Sequence, residues 1–278
     1  MALPAMIQAL STLLPCLYLG LVVLCWSAFS AADETRLLAA RRVLLLTLLA
    51  AHTGLLAARF AAVPGMPFLG GFAALSPLAL SIAALHAWFA RVERGQAASA
   101  AITYGVAFLL QLASSAFAPL EVVEAHDRPP LFYALHVGSA LIASAALAIS
   151  GIDGVLYLAL YRQMRRRRFG PLFDALPSLD QLARRMRRAA GFACLLLAVG
   201  VNAGIWWAHR ADVPGFSYRD PFVLALIALM LHFGLVAASG FIPFLTARRA
   251  SLAAVSGLAL LLVALGYSLL PRSFHWVN

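Results

Sequence analysis

The chain has 278 residues, 63% of them apolar and only 12% charged, with a net charge of +10. Soluble domains average about 45–50% apolar and about 25% charged residues. The composition therefore excludes a soluble enzyme, a disordered tail and a nucleic-acid-binding domain, and it points to a polytopic membrane protein.

A helical span needs about 20 apolar residues to cross about 30 Å of hydrocarbon. In chain order, eight stretches qualify: 6–31, 37–60, 68–90, 98–118, 131–161, 189–208, 219–245 and 251–270. The first lacks a basic leader region and reads as a span, not a cleavable signal. The runs are apolar throughout, without the alternation of barrel strands, so the fold class is all-α: a membrane helix bundle of about eight spans. Residues 1–278 form one integral membrane domain in this reading. Cys16, Cys25 and Cys194 stand alone inside apolar runs, which argues against a zinc site, a disulfide scaffold or a thiol-redox carrier.

All 21 basic residues are Arg. With the 162–188 segment in the cytoplasm, the loops on that side carry sixteen of them against five elsewhere. The positive-inside rule then places both termini outside. Within that basic loop, Arg165 to Arg168 form a run of four. Leu176, Leu179, Leu182 and Met186 recur at helical spacing among Arg184, Arg185, Arg187 and Arg188, a pattern that predicts a short interfacial amphipathic helix. Arg165–Arg168 and Arg184–Arg188 are expected to rest on anionic lipid headgroups. The sharper alternative is a dock for a cytoplasmic protein.

Ionisable groups inside spans are expensive and mark candidate sites. Here they are His52, His86, His136, Asp153 and His232. His126, His209 and His275 fall in outer loops or at the outer end. His136 and His275 can share the outer layer, and His52 and His232 can form a deeper pair. Two neutral imidazoles, one on each face of a porphyrin, are what haem iron requires. His86, nearer the inner end of its span, reads as a packing or snorkelling residue, though it competes with His52 as the second intramembrane ligand. The outer loop Glu121, Glu124, His126 and Asp127 reads as solvated acid, with no spacing that enforces coordination. Asp153 lies between Gly151 and Gly154 and has the following arginine-rich loop as its source of a partner. Phosphate-binding and hydrolase motifs are missing, and no catalytic constellation presents itself.

Four stretches then carry a resemblance. They are "LHVGSALIASAALAISGIDGVLYLALYRQMRRRR" (135–168), "LPSLDQLARRMRRAAGFACLLLAVGVNAGIWWAH" (176–209), "YRDPFVLALIALMLHFG" (218–234) and the C-terminal "FHWVN". In order and spacing they resemble the haem-handling cytochrome c assembly proteins, the CcsA/ResC/CcmC group with its short YpjD/HemX-like branch. The likeness covers roughly 130–278, and the span-2 histidine resembles the YpjD-type arrangement. The family's tryptophan-rich haem-presenting segment falls at 209–221, where this chain reads "HRADVPGFSYRDP". Only Tyr218, Asp220 and Pro221 match, so the segment departs from the family's pattern; Trp206 and Trp207 lie just before it and do not stand in its tryptophan positions.

The resemblance implies a haem-handling protein of the bacterial inner membrane that supports cytochrome c assembly or haem supply, with haem b as cofactor. It implies His136 and His275 as outer ligands, His232 as a membrane-embedded ligand and His52 as its partner. Trp206, Trp207, Tyr218 and Asp220 complete the implied binding set. Implied partners are haem and cytochrome-assembly or haem-synthesis proteins, with no nucleic acid. From the ionisable groups themselves, two other classes stand beside this: a metal-ion or small-solute transporter, and a regulator that docks a haem-synthesis enzyme.

Overall fold

Turn-forming and charged residues divide the apolar sequence, and the computed structural model turns each apolar run into a helix. It describes residues 2–27, 34–62, 72–90, 97–118, 131–167, 170, 173, 175–210 and 217–268. Among these the long elements are α1 (Ala2–Ser27), α2 (Glu34–Ala62), α3 (Leu75–Ala90), α4 (Ala97–Phe117), α5 (Leu131–Arg166), α6 (Leu179–Arg210), α7 (Pro221–Ala238) and α8 (Ala247–Ser268). No strand occurs among the described residues. Five of the helices, α1, α2, α4, α5 and α6, are long and apolar enough to cross a membrane. The protein is a polytopic helical membrane bundle, and each of the eight expected spans overlaps one helix.

The chain divides into two compact units, residues 1–129 with 167–177, and residues 130–166 with 178–278. In the first, α1 packs on α2 and α4, and α3 packs on α4. Leu14, Tyr18, Leu21 and Cys25 recur every three or four residues on α1 and are wholly buried. Leu48, His52 and Leu55 do the same on α2. Leu19, Val23, Val43, Leu46 and Leu109 point outward. Tyr18 and His52 thus sit inside among leucines, while further aliphatic side chains cover the outside, the distribution expected where lipid is the solvent.

In the second unit α5 and α6 form the largest helix contact, with α8 against α5 and α7 bridging α6 and α8. The α5–α6 pair is antiparallel: His136 bonds to Gly200, Ser150 to Met186 and Asp153 to Arg185, so numbering rises on one helix as it falls on the other. Glycines on α5 seat α8 closely. A Cβ at Gly151 would lie 2.6 Å from Leu258 Cβ, and one at Gly154 would lie 3.0 Å from the Ser251 carbonyl oxygen.

The basic segment departs from expectation. Residues 162–188 are not one loop with a separate interfacial helix. The helix α5 runs to Arg166, and α6 starts at Leu179, ten residues before the expected span. A capping box sets that start: Gln181 N–H donates to Ser178 Oγ (3.3 Å), and Ser178 N–H donates to Gln181 Oε1 (3.0 Å). Leu182 and Met186, read as a lipid-facing stripe, are fully buried in the bundle. Arg185 is buried beside them because it has a carboxylate to meet.

Candidate functional site

His136 lies five residues into α5, about 8 Å along the helix from Leu131. Its Nδ1 donates to the Gly200 carbonyl oxygen of α6 at 2.8 Å. A carbonyl only accepts, so the bond fixes the proton on Nδ1 and leaves the lone pair on Nε2. Gly204, one turn further along α6, makes room for the ring. A Cβ there would lie 2.5 Å from Nδ1 and 2.8 Å from Cε1. Gly200 has a similar task, since its Cβ would meet Ser139 Oγ at 2.6 Å. The Gly200-x-x-x-Gly204 pair therefore builds the seat of this histidine. Small residues four apart were the available signal in the sequence.

Aromatic rings cluster one turn from His136, where α5 begins and α6 ends. Phe132 packs on Trp206 with centroids 4.2 Å apart, and Tyr133 packs on Trp207 at 4.6 Å. The Arg210 guanidinium stands 4.0 Å from the Trp206 ring centroid, a cation–π contact. His209 Nε2 pairs with the Tyr218 hydroxyl, tying the end of α6 to the approach to α7. Asp220 occupies the N-cap of α7: Leu224 N–H donates to its carbonyl at 3.0 Å, and Pro221 follows at the first helical position. The Asp-Pro pair is thus a helix start, while Trp206, Trp207 and Tyr218 belong to the aromatic end of this unit.

His232 lies eleven residues into α7, about 17 Å from its start and so deeper than His136. Its Nε2 donates to the Ala253 carbonyl of α8 at 2.7 Å, which leaves the lone pair on Nδ1. Gly257 clears space first for the Phe233 ring, whose Cε2 would lie 2.5 Å from a Cβ there, and also for His232, whose Cδ2 would lie at 2.9 Å. The two histidines are thus oriented by different helix pairs and present opposite ring nitrogens.

Asp153 sits near the other end of α5. Arg185 Nε donates to its Oδ2 at 2.7 Å and Nη2 to Oδ1, with both side chains almost wholly buried. The expected pairing with a following arginine is present, and it is bidentate.

His52 belongs to the first unit and sits in a chain of hydrogen bonds whose direction one carbonyl dictates. Ser115 Oγ donates to the Ser11 carbonyl at 2.7 Å, so it accepts from Gln111 Nε2 at 3.0 Å. The other end of that amide, Gln111 Oε1, accepts from Ser76 Oγ at 2.9 Å. Ser76 has then given its one proton and must accept from His52 Nε2 at 2.9 Å. The remaining nitrogen, Nδ1, accepts from the Tyr18 hydroxyl at 3.0 Å. Both ring nitrogens are engaged and neither offers iron a lone pair. The residues around His52 therefore do not fit the ligand role that the resemblance implied. His86, the competing candidate, is buried edge-on against Tyr104 at 5.1 Å.

His275, His126 and the loop Glu121, Glu124 and Asp127 lie outside the described residues. Among the described residues no three His, Cys, Asp or Glu side chains gather as a metal site. Sequence reasoning passed over Gly200, Gly204, Phe132, Tyr133 and Arg210, and in the first unit Tyr18, Ser76 and Gln111.

The family model described as "Cytochrome C assembly protein" matches residues 11–275. Protein HemX of Brevibacillus brevis is 33% identical over 97 residues, which cover 35% of this chain and 36% of that relative. The match spans about a third of either protein.

Proposed function

The chain belongs to the cytochrome c assembly protein family, and from that premise we propose that it is a haem-binding membrane protein supporting cytochrome assembly or haem supply. The observation that carries the reading is the His136 seat. A histidine at the aromatic end of the second unit has its proton held on Nδ1 by a backbone carbonyl, which orients Nε2 as a ligand nitrogen. Haem, when bound, would supply an iron centre that takes imidazole nitrogens as axial ligands. His136 would hold it from the protein side, with His275 as the second outer ligand. Phe132, Trp206 and Trp207 provide apolar ring surface beside it, and Tyr218 and Arg210 provide polar edges. His232 is the candidate for a second, deeper site through Nδ1. His52 is left out of the ligand set because its hydrogen bonds occupy both nitrogens.

In this reading haem is of the b type and the protein lies in the bacterial cytoplasmic membrane. The arginine-rich 162–188 side faces the cytoplasm, and both termini face outward. A cytochrome-assembly or haem-synthesis protein is the partner class. The transporter alternative rests on the ionisable groups of the spans and on the acidic outer loop with Glu121; of these, Asp153 is already neutralised by Arg185, and the loop lies outside the described residues. Docking of a cytoplasmic protein would rest on Arg165 to Arg168, of which Arg165 and Arg166 are exposed; Arg185, held by Asp153, takes no part.

The test is an absorption spectrum and pyridine haemochrome of the purified full chain. A Soret band is expected, taken up on haem addition and weakened in His136→Ala. A preparation that stays colourless with added haem refutes the proposal.

A further inference from the structure

At the opposite end of α5 from His136, the helix presents cations with no carboxylate partner among the described residues. Arg162, Arg165 and Arg166 stand at i, i+3 and i+4, so they share one face, and all three are exposed. Like charges at these spacings repel one another and weaken the helix. Arg248, near the start of α8, lines the same groove. Among the described residues no carboxylate pairs with any of the four; the buried ion pair of this unit uses Asp153 and Arg185 instead. A neighbouring arginine, Arg249, is held by its Nη1 donating to the Phe244 carbonyl at 2.8 Å. The Arg248 guanidinium lies over the Tyr161 ring at 5.6 Å from its centroid.

The groove is cationic at its rim and apolar along its wall, where Leu158 and Leu252 line it. Beside it the turn between α7 and α8 exposes two aromatic rings, Phe241 at 91% and Phe244 at 67%. Rings so exposed are unfavourable in water but favourable at the headgroup–acyl boundary of a bilayer. The turn therefore sets the groove at the depth where lipid phosphates lie.

We infer that the Arg162–Arg166–Arg248 groove is a binding site for the phosphate of an anionic phospholipid, whose acyl chain lies along Leu158 and Leu252. Four guanidiniums with no carboxylate partner among the described residues attract a phosphate, which accepts their N–H donors bidentately. The aliphatic wall and the exposed phenylalanines favour a phosphate that brings a hydrocarbon tail. This goes beyond diffuse attraction of basic loops to anionic membranes, because it assigns the contact to residues from two helices that share one groove. It is independent of any haem site.

The experiment is native mass spectrometry of the delipidated full chain in detergent, titrated with phosphatidylglycerol, with phosphatidylcholine as the neutral control. Diffuse attraction alone predicts about a fivefold loss for any arginine removed near the surface. A discrete site predicts that Arg248→Ala and Arg162→Ala each lose more than about tenfold, while Arg184→Ala, exposed on α6 outside the groove, loses less than about fivefold. Arg248→Gln gives the same reading if the alanine variant fails to fold. Equal losses at Arg184 and Arg248, no preference over phosphatidylcholine, or displacement of the lipid by millimolar inorganic phosphate would overturn the inference.

Discussion

Gly204→Ala tests the His136 seat without touching a ligand atom. The added Cβ would stand 2.5 Å from Nδ1, 2.8 Å from Cε1 and 3.1 Å from Cγ, whereas ordinary contact starts near 3.4 Å. The ring must withdraw by about an ångström, which stretches the 2.8 Å bond to the Gly200 carbonyl past the length at which it counts as a hydrogen bond. Losing the partner that orients a ligating histidine costs about 10–100-fold in metal affinity, or about 1.4–2.7 kcal/mol. Helix propensity works in the opposite direction, since Ala is favoured over Gly by about 1 kcal/mol. The variant should therefore keep its thermal stability better than its haem. Haem titration followed at the Soret band, beside thermal unfolding in the same detergent, separates the two effects. Gly138→Ala is the control, because its Cβ would meet nothing within 4 Å. Gly204→Ala binding haem within about twofold of the parent chain, or Gly138→Ala losing as much, would refute the argument.

Two further outcomes follow from the buried polar groups. Asp153→Asn removes the counter-charge of a buried arginine and should cost about 3–5 kcal/mol in thermal or denaturant unfolding. Replacing the pair together by Leu and Met should recover most of that loss, and no recovery would mean the pair is not the cause. His52→Ala leaves the Tyr18 hydroxyl and Ser76 Oγ without their buried partner and should cost about 1–3 kcal/mol. It should leave the haem spectrum unchanged. Spectral loss with stability intact would overturn the assigned direction of the hydrogen-bond chain.

The helices were legible in the sequence because their signal is collective. Twenty apolar residues in a row have few alternatives, and Asp220-Pro221 marks the start of α7 plainly. The start of α6 was not legible, because Leu182, Met186 and Arg185 carry the same amphipathic spacing whether they face lipid or another helix. Only the bidentate Asp153 contact decides it, and that contact spans 32 residues. His136 was singled out by its position, but the glycines that orient it lie 64 and 68 residues away on α6. For His52 the residue type suggested a ligand. Its partners come from α1 and α3, and the carbonyl that sets the direction of the chain belongs to Ser11.

The two units hold their described histidines differently: His52 is bonded at both ring nitrogens by side chains, whereas His136 and His232 each meet a backbone carbonyl through one. In the first, Tyr18, His52, Ser76, Gln111 and Ser115 satisfy one another from hydroxyl to carbonyl, with a side-chain amide in the middle. An amide nitrogen does not readily pass protons along, so this chain ties helices together and carries nothing. Its His52 is fully used by the fold. In the second unit His136 and His232 each donate one proton to a backbone carbonyl, and each has a glycine opposite that gives the ring its room. A hydrogen bond of that kind fixes which nitrogen carries the lone pair, as a metal ligand requires. The glycines leave no methyl to press the ring out of place.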